Sequence, residues 1–220
     1  MVLSQAVEDY LKTIYKLKPQ KKGVSTTQLA KAMDVSSASA TNMIKRLAKM
    51  GLVKYQSYKG ATLTPAGRKI ALEIIRHHRL LELYLLEVMG YSWDEVHEEA
   101  EKLEHHISEQ FEDKIADLLD NPTHDPHGDP IPTKEGFIPE TEAMPLVEAD
   151  EGGTYIINRV KDQEPAHLRY LEKEGLLPGV KLQVQQRAPF SGPLTLMVEG
   201  EKTVIGHKLA ATIFVAELPA

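Results

Sequence analysis

Apolar positions near the start of the chain recur with the period of a helix. Residues 4–17, SQAVEDYLKTIYKL, carry Ala6 or Val7, Tyr10 or Leu11, Ile14 and Leu17 at helical spacing, with Ser4 suited to cap the start. The basic run Pro-Gln-Lys-Lys-Gly at 19–23 breaks that pattern. Ser25 and Thr26 then open a short amphipathic segment with Leu29, Ala30 and Met33. A turn at Asp34 and Val35 leads to a second segment, capped near Ser36, that runs to about Met50 and stops at Gly51. Two short helices joined by a tight turn make a helix-turn-helix. Past Gly51 the period falls to two: LVKYQSY and ATLT read as strands of a hairpin wing around Tyr58-Lys59-Gly60.

These pieces predict a winged helix-turn-helix whose second helix enters the major groove. Ser36, Ser37, Ser39 and Asn42 occupy its first turns, where base edges and phosphates are reached, and Lys45, Arg46 and Lys59 are placed for backbone contacts. Thr64-Pro65 supplies a cap and a first-turn proline for a long helix to about residue 89. Its Ile70, Ile74, Leu81, Leu85 and Val88 are too apolar for a lone surface helix and predict a homodimer face, which a reader of two half-sites needs. After a capped turn at 91–94, a helix containing His97 is expected to end near Leu119. The proline-rich, aperiodic stretch 121–149 then marks a boundary. Beyond it TYIINRV, KLQVQQR, LTLMVE, TVIGH and ATIFVAEL read as short strands, with AHLRYLEKEG (166–175) helical between them, which predicts a small β-barrel. The expected domains are 1–73 for DNA reading, 74–140 helical for dimerisation and metal, a linker at 141–149, and the barrel at 150–220.

Charge sharpens this division. Residues 1–76 hold 14 Lys and Arg against 4 Asp and Glu, while the rest holds 12 against 28, giving the overall -6. A basic head on an acidic body points to a phosphate-bearing partner, double-stranded DNA, for the head alone. The chain has no cysteine, which excludes disulfides, zinc-thiolate sites and thiol nucleophiles. No apolar run approaches the ~18 residues of a membrane span, and the start lacks a secretory pattern, so a cytoplasmic protein without a membrane partner is expected.

The candidate chemistry lies in HEEAEKLEHH, residues 97–106. At about 100° per residue, His97, Glu101, Glu104 and His105 share one arc roughly 100° wide, and His106 points away. Two imidazoles and two carboxylates on one face make half of a divalent-metal site. His78 and Glu82 form a further i,i+4 pair on the preceding helix. The remaining histidines, His77, His106, His124, His127 and His207, read as structural or solvent-facing.

With these residues in place, the chain resembles the diphtheria toxin repressor family of metal-dependent transcriptional regulators, in particular its manganese-responsive branch. The resemblance spans nearly the whole chain and rests on EDYLKTIY (8–15), LTPAG (63–67), HHRLLE (77–82), the EHH of 104–106 and HGDPIP (127–132), in that order. It implies a mainly α N-terminal part, a winged helix-turn-helix plus a helical dimerisation domain, followed by an all-β SH3-like barrel. It also implies a metal centre of Asp9, Glu101, Glu104 and His105 that switches DNA binding. A neighbouring centre would use His78, Glu82 and His97, with Glu164 and His167 lent by the barrel. Iron-responsive relatives have Met and Cys where this chain has Asp9 and Glu101. Replacing soft sulfur by carboxylate oxygen favours Mn²⁺, with Fe²⁺ the alternative. Some barrel-less manganese regulators have a carboxylate where this chain has Lys12, so two separate centres are expected rather than a bridged pair.

The implied mechanism is linkage: an ion joining Asp9 of the reading domain to Glu101, Glu104 and His105 fixes the recognition helices for an operator. A repressor of manganese uptake is the expected role. A metallohydrolase is disfavoured, since Glu101 stands where H-E-x-x-H needs its second histidine. A winged-helix regulator sensing an organic ligand is the other alternative.

Overall fold

A computed structural model describes residues 3–17, 23–139 and 142–218. The basic break at 19–22 and the first linker residue, 141, lie outside the described residues. Ser4 sits at the N-cap of α1 (Gln5–Lys16). Ser25 and Gln28 form a reciprocal capping box on α2 (Thr26–Ala32), satisfying two backbone donors. Ser36 caps α3 (Ser37–Lys49), accepting from the backbone of Ser39. Strands β1 (Val53–Gln56) and β2 (Gly60–Leu63) pair antiparallel, with Val53 opposite Leu63. Thr64 then caps α4 (Pro65–Glu87), accepting from Gly67 N at 3.2 Å.

The chain divides into two compact units. The first comprises Met1–His78, Leu103–Ser108 and Pro132–Phe137. In its core Val7, Tyr10, Leu11 and Ile14 of α1 pack with Leu29, Ile44, Leu47, Leu52 and Val53. At about 100° per residue those four lie opposite Glu8, Asp9 and Lys12, so α1 turns an apolar face to the winged-helix core and a charged one elsewhere.

Gly67 is a point of close approach: a Cβ there would stand 2.1 Å from the Leu52 carbonyl oxygen. Helix propensity alone would favour Gly67→Ala by ~1 kcal/mol. Overpacking against backbone outweighs it, and the variant is expected to be less stable by roughly 1–3 kcal/mol. Its urea midpoint checks this; an unchanged or higher midpoint would contradict it.

Periodicity predicts one helix from His97 to near Leu119, but the structure has two, α5 (Val96–Leu103) and α6 (Glu109–Leu118). Between them His106 N closes a tight turn onto Leu103 O at 2.9 Å, and Ser108, a favoured N-cap type, precedes α6. The turn carries Glu104 and His105 out of the helical register and into the first unit, while His97 and Glu101 stay in the second. The long apolar face of α4 is also less available than its sequence suggests. Ile74, Leu81 and Leu85 are buried within the chain, and Val88 is exposed.

The second unit comprises Arg79–Lys102, Glu109–Ile131 and Ile138–Ala220. All five expected strands are present: β4 (Thr154–Val160), β5 (Lys181–Arg187), β6 (Leu194–Val198), β7 (Glu201–Ile205) and β8 (Ile213–Glu217). A short β3 (Met144–Pro145) joins them in one antiparallel sheet of order β3-β8-β4-β5-β6-β7. Leu168 and Leu171 of α7 (Pro165–Lys173) and Ala210 of α8 (His207–Ala210) complete its core, with Tyr155, Ile157, Val184, Leu196 and Val215. Trp93 joins the same core, and the loop after α6 is seated on β4: Val160 N donates to His127 O at 2.8 Å. Gly128, at φ +84, lies so close that a Cβ would meet Asn158 O at 2.0 Å.

Candidate metal centres

In the first unit Asp9, Glu104 and His105 bring one donor atom each to within 4.8 Å of one another. Their contacts are tight: His105 Nε2 lies 2.8 Å from Asp9 Oδ1 and 3.1 Å from Glu104 Oε1. Neither contact is aligned as a hydrogen bond, and among the described residues the buried Nε2 has no hydrogen-bond partner. Ligands about 2.1 Å from a common ion stand roughly 3.0–3.4 Å apart, so these atoms already hold the spacing of a coordination edge. The donor set fits a divalent cation.

Residues behind the donors orient them. Glu8 Oε2 lies 2.7 Å from His105 Nδ1, which fixes the ring and leaves Nε2 facing Asp9 and Glu104, the carboxylate–histidine arrangement of metal sites. Lys12 Nζ donates to Glu104 Oε1 and His78 Nδ1 to Glu104 Oε2, both at 2.6 Å. His77 Nδ1 donates to the Glu104 carbonyl at 3.1 Å. Burial alone would raise the Glu104 pKa, but the adjacent His105 ring, the His78 hydrogen bond and the Lys12 charge hold it well below the carboxylate range. Burial opposes protonation of His105, yet Asp9, Glu104 and Glu8 push its pKa up to about 10.

The second unit holds a separate group. Glu82, Asp125 and His127, all buried, also have donor atoms within 4.8 Å of one another. Burial and the charges of Glu82 and Asp129 drive the Asp125 pKa well up, while burial pulls that of His127 down. Arg79 Nε, 3.5 Å from Asp125 Oδ2, offsets part of this negative charge, and the buried carboxylates beside a neutral imidazole have the chemistry of a cation ligand set. His127 stacks on Trp93, the only tryptophan, at 5.0 Å and 28°. His97 Nδ1 lies 2.8 Å from Glu82 Oε1, and its Nε2 is 3.9 Å from Glu101. Glu164 and His167 belong to neither of these groups, and His167 Nδ1 pairs with Asp162 at 2.9 Å.

The structure therefore assembles Asp9, Glu104 and His105 in one unit, and Glu82, His97 and Glu101 in the other. Glu8, Asp125 and His127 are additions to the sequence reading. Asp125 and His127 lie in a loop without periodicity, where only the HGDPIP run gave a signal. Glu8 was hidden because consecutive helical positions do not ordinarily serve one imidazole.

On the reading head Ser36, Ser37, Ser39, Asn42, Lys45 and Arg46 are all exposed, as is Lys59 on the wing. The Ser36 and Ser39 hydroxyls face each other at 2.9 Å within the α3 cap, while Asn42 lies a turn further along. Tyr58 is wholly exposed at the wing tip, with φ +65. Among the described residues no helix is long and apolar enough to cross a membrane.

Residues 2–61 match the iron-dependent repressor N-terminal DNA-binding domain. Residues 64–133 match the iron-dependent repressor metal-binding and dimerisation domain, and 144–217 match the FeoA domain. The chain is 29% identical over 231 residues to the iron-dependent repressor IdeR of Mycobacterium tuberculosis, spanning 98% of this chain and 99% of that one. It is 35% identical over 114 residues to the HTH-type transcriptional regulator MntR of Lysinibacillus sphaericus, 52% of this chain and 81% of that one. Among solved structures, a manganese-dependent transcriptional repressor in complex with manganese is similar at a TM-score of 0.89 and 38% identity, covering 96% of this chain and 100% of that one.

Proposed function

Since this chain belongs to the iron-dependent repressor family of metal-dependent, DNA-binding transcriptional repressors, we propose that it is a manganese-responsive member. In this reading Mn²⁺ at Asp9, Glu104 and His105 raises affinity for a double-stranded operator, bound as a homodimer in the cytoplasm, in control of metal uptake. The observation that carries it is the buried His105 Nε2 set between two carboxylates, 2.8 Å from Asp9 Oδ1 and 3.1 Å from Glu104 Oε1. Oxygen donors with one imidazole and no sulfur suit Mn²⁺, with Fe²⁺ the alternative. The bound ion supplies charge compensation and a rigid tie. It joins α1, whose other face packs the winged-helix core, to the turn after α5. Ser37, Asn42, Lys45, Arg46 and Lys59, with Ser36 and Ser39 at the cap, would meet the DNA.

A second ion at Glu82, Asp125 and His127 has support in the three buried donor groups gathered there. His97 beside Glu82 belongs to its surroundings. The same titrations test the ligand roles that the family resemblance implies for His78, Glu101, Glu164 and His167.

Calorimetric titration of Mn²⁺, Fe²⁺ and Zn²⁺, paired with binding to a duplex selected from a random library at matched free metal, tests the reading. Metal is expected to raise DNA affinity by about 5- to 150-fold, the range of allosteric couplings. DNA affinity indifferent to every metal would instead favour a regulator sensing an organic ligand.

Metal binding should also depend on pH. The metal-free protein keeps His105 protonated up to about 10, so an ion must displace that proton. Affinity at this centre is expected to rise about tenfold per pH unit between 6.5 and 8.5, with one proton released per ion. The stability contribution of the raised pKa runs oppositely in the metal-free protein: it is full below the unfolded value near 6.5 and lost as pH climbs towards 10. Calorimetry in buffers of different ionisation enthalpy measures the proton; no proton release would contradict this ligand.

A further inference from the structure

The first centre contains a cation of its own. Lys12 is on α1, one turn after Asp9, and is buried at 5% exposure. Its Nζ donates to Glu104 Oε1 at 2.6 Å. That oxygen is also the one facing His105 Nε2, at 3.1 Å, while Oε2 is taken by His78. The ammonium therefore holds the carboxylate oxygen that an ion among Asp9, Glu104 and His105 would require. Two cations sharing one buried oxygen repel strongly, because little water lies between them to screen the charge.

Resting on the reading of those three residues as metal ligands, we propose that Lys12 is an internal competitor for the metal: its ammonium occupies Glu104 while the site is empty and gives it up when the ion binds. The exchange balances. The Nζ–H···Oε1 hydrogen bond breaks, the oxygen passes to the ion, and Lys12 keeps its proton and is rehydrated at the end of a long, flexible stem. The arrangement answers two demands at once. Glu104 is 0% exposed, and a buried carboxylate needs a positive partner if the empty site is to stay folded. A sensor must also let its ion go when supply falls, and a built-in rival weakens metal affinity without removing a ligand.

Lys12→Met, which keeps the stem and removes the charge, tests the competition by Mn²⁺ calorimetry. Unit charges a few ångströms apart shift a binding constant severalfold even in water, and a divalent ion doubles the effect. The variant is thus expected to bind Mn²⁺ at least about tenfold more tightly than the native chain. Equal or weaker binding by folded Lys12→Met overturns the proposal. Should that variant not fold, the native protein labelled with ¹⁵N-lysine and titrated with diamagnetic Cd²⁺ gives an independent readout. The Lys12 ammonium, protected from exchange in the empty protein, is expected to lose that protection on loading. A protected ammonium that persists with Cd²⁺ bound overturns the proposal while leaving the metal centre standing. A native protein that takes up neither ion at this site overturns the metal-centre reading, and the competitor with it.

Discussion

Alanine at Asp9 is expected to abolish metal-enhanced DNA binding while leaving the metal-free fold intact. Asp9 is partly exposed, at 26% of its side chain, and anchors no apolar packing, so its removal should change stability little. Among the described residues its carboxylate is the member of the Asp9, Glu104 and His105 group that lies on α1, which is packed into the reading head. Without it an ion can still touch Glu104 and His105 but cannot hold α1. Losing a residue behind a metal ligand typically weakens metal affinity 10- to 100-fold, and losing a direct ligand should do at least as much. The gain in DNA affinity on adding Mn²⁺, about 5- to 150-fold in the native chain, should fall to none. Fluorescence anisotropy of a labelled duplex, with Mn²⁺ and with chelator, reads this directly. An undiminished metal response would refute the assignment of Asp9.

The largest loss of stability is expected at Glu104. Glu104→Ala strips a wholly buried carboxylate from Lys12, His78 and His105 and leaves a cavity. Removing one partner of a buried ion pair typically costs about 3–5 kcal/mol, a large share of a domain's stability. Glu104→Gln preserves the volume but not the charge and should fall between. Replacing both partners by apolar residues often restores stability, so Lys12→Met with Glu104→Leu should recover most of the loss. It should recover none of the metal response. Urea unfolding in chelator measures all three; a Glu104→Ala midpoint equal to the native one would contradict the buried pair. Asp9 and Glu104 thus separate function from stability within one centre.

How far the chain can be read without coordinates differs by region. The winged helix-turn-helix is legible because each of its boundaries has a local cause: the caps of Ser25, Ser36 and Thr64, and the stop at Gly51. The strands after residue 150 are legible for the same reason, alternating apolar residues between turn signals. The break after Leu103 is not, because Glu104 and His105 fit the helical period and leave it for partners 26 to 97 residues away in sequence. Nothing in the local pattern encodes those partners. The wheel grouped His97, Glu101, Glu104 and His105 for a helical reason that the structure lacks, and the family resemblance reached Glu104 and His105 by another route. The neighbours of His127 are not legible either: its place is set by Gly128 packed on β4 and by the Trp93 ring, both tertiary facts.

Crystals of the native chain grown or soaked with Mn²⁺ and measured at the manganese absorption edge test the central claim most directly. An anomalous peak shared by Asp9 Oδ1, Glu104 Oε1 and His105 Nε2, absent from Asp9→Ala crystals under the same treatment, is the result expected. A structure in which Mn²⁺ is held without Asp9, in a protein whose DNA binding still responds to the metal, would contradict it.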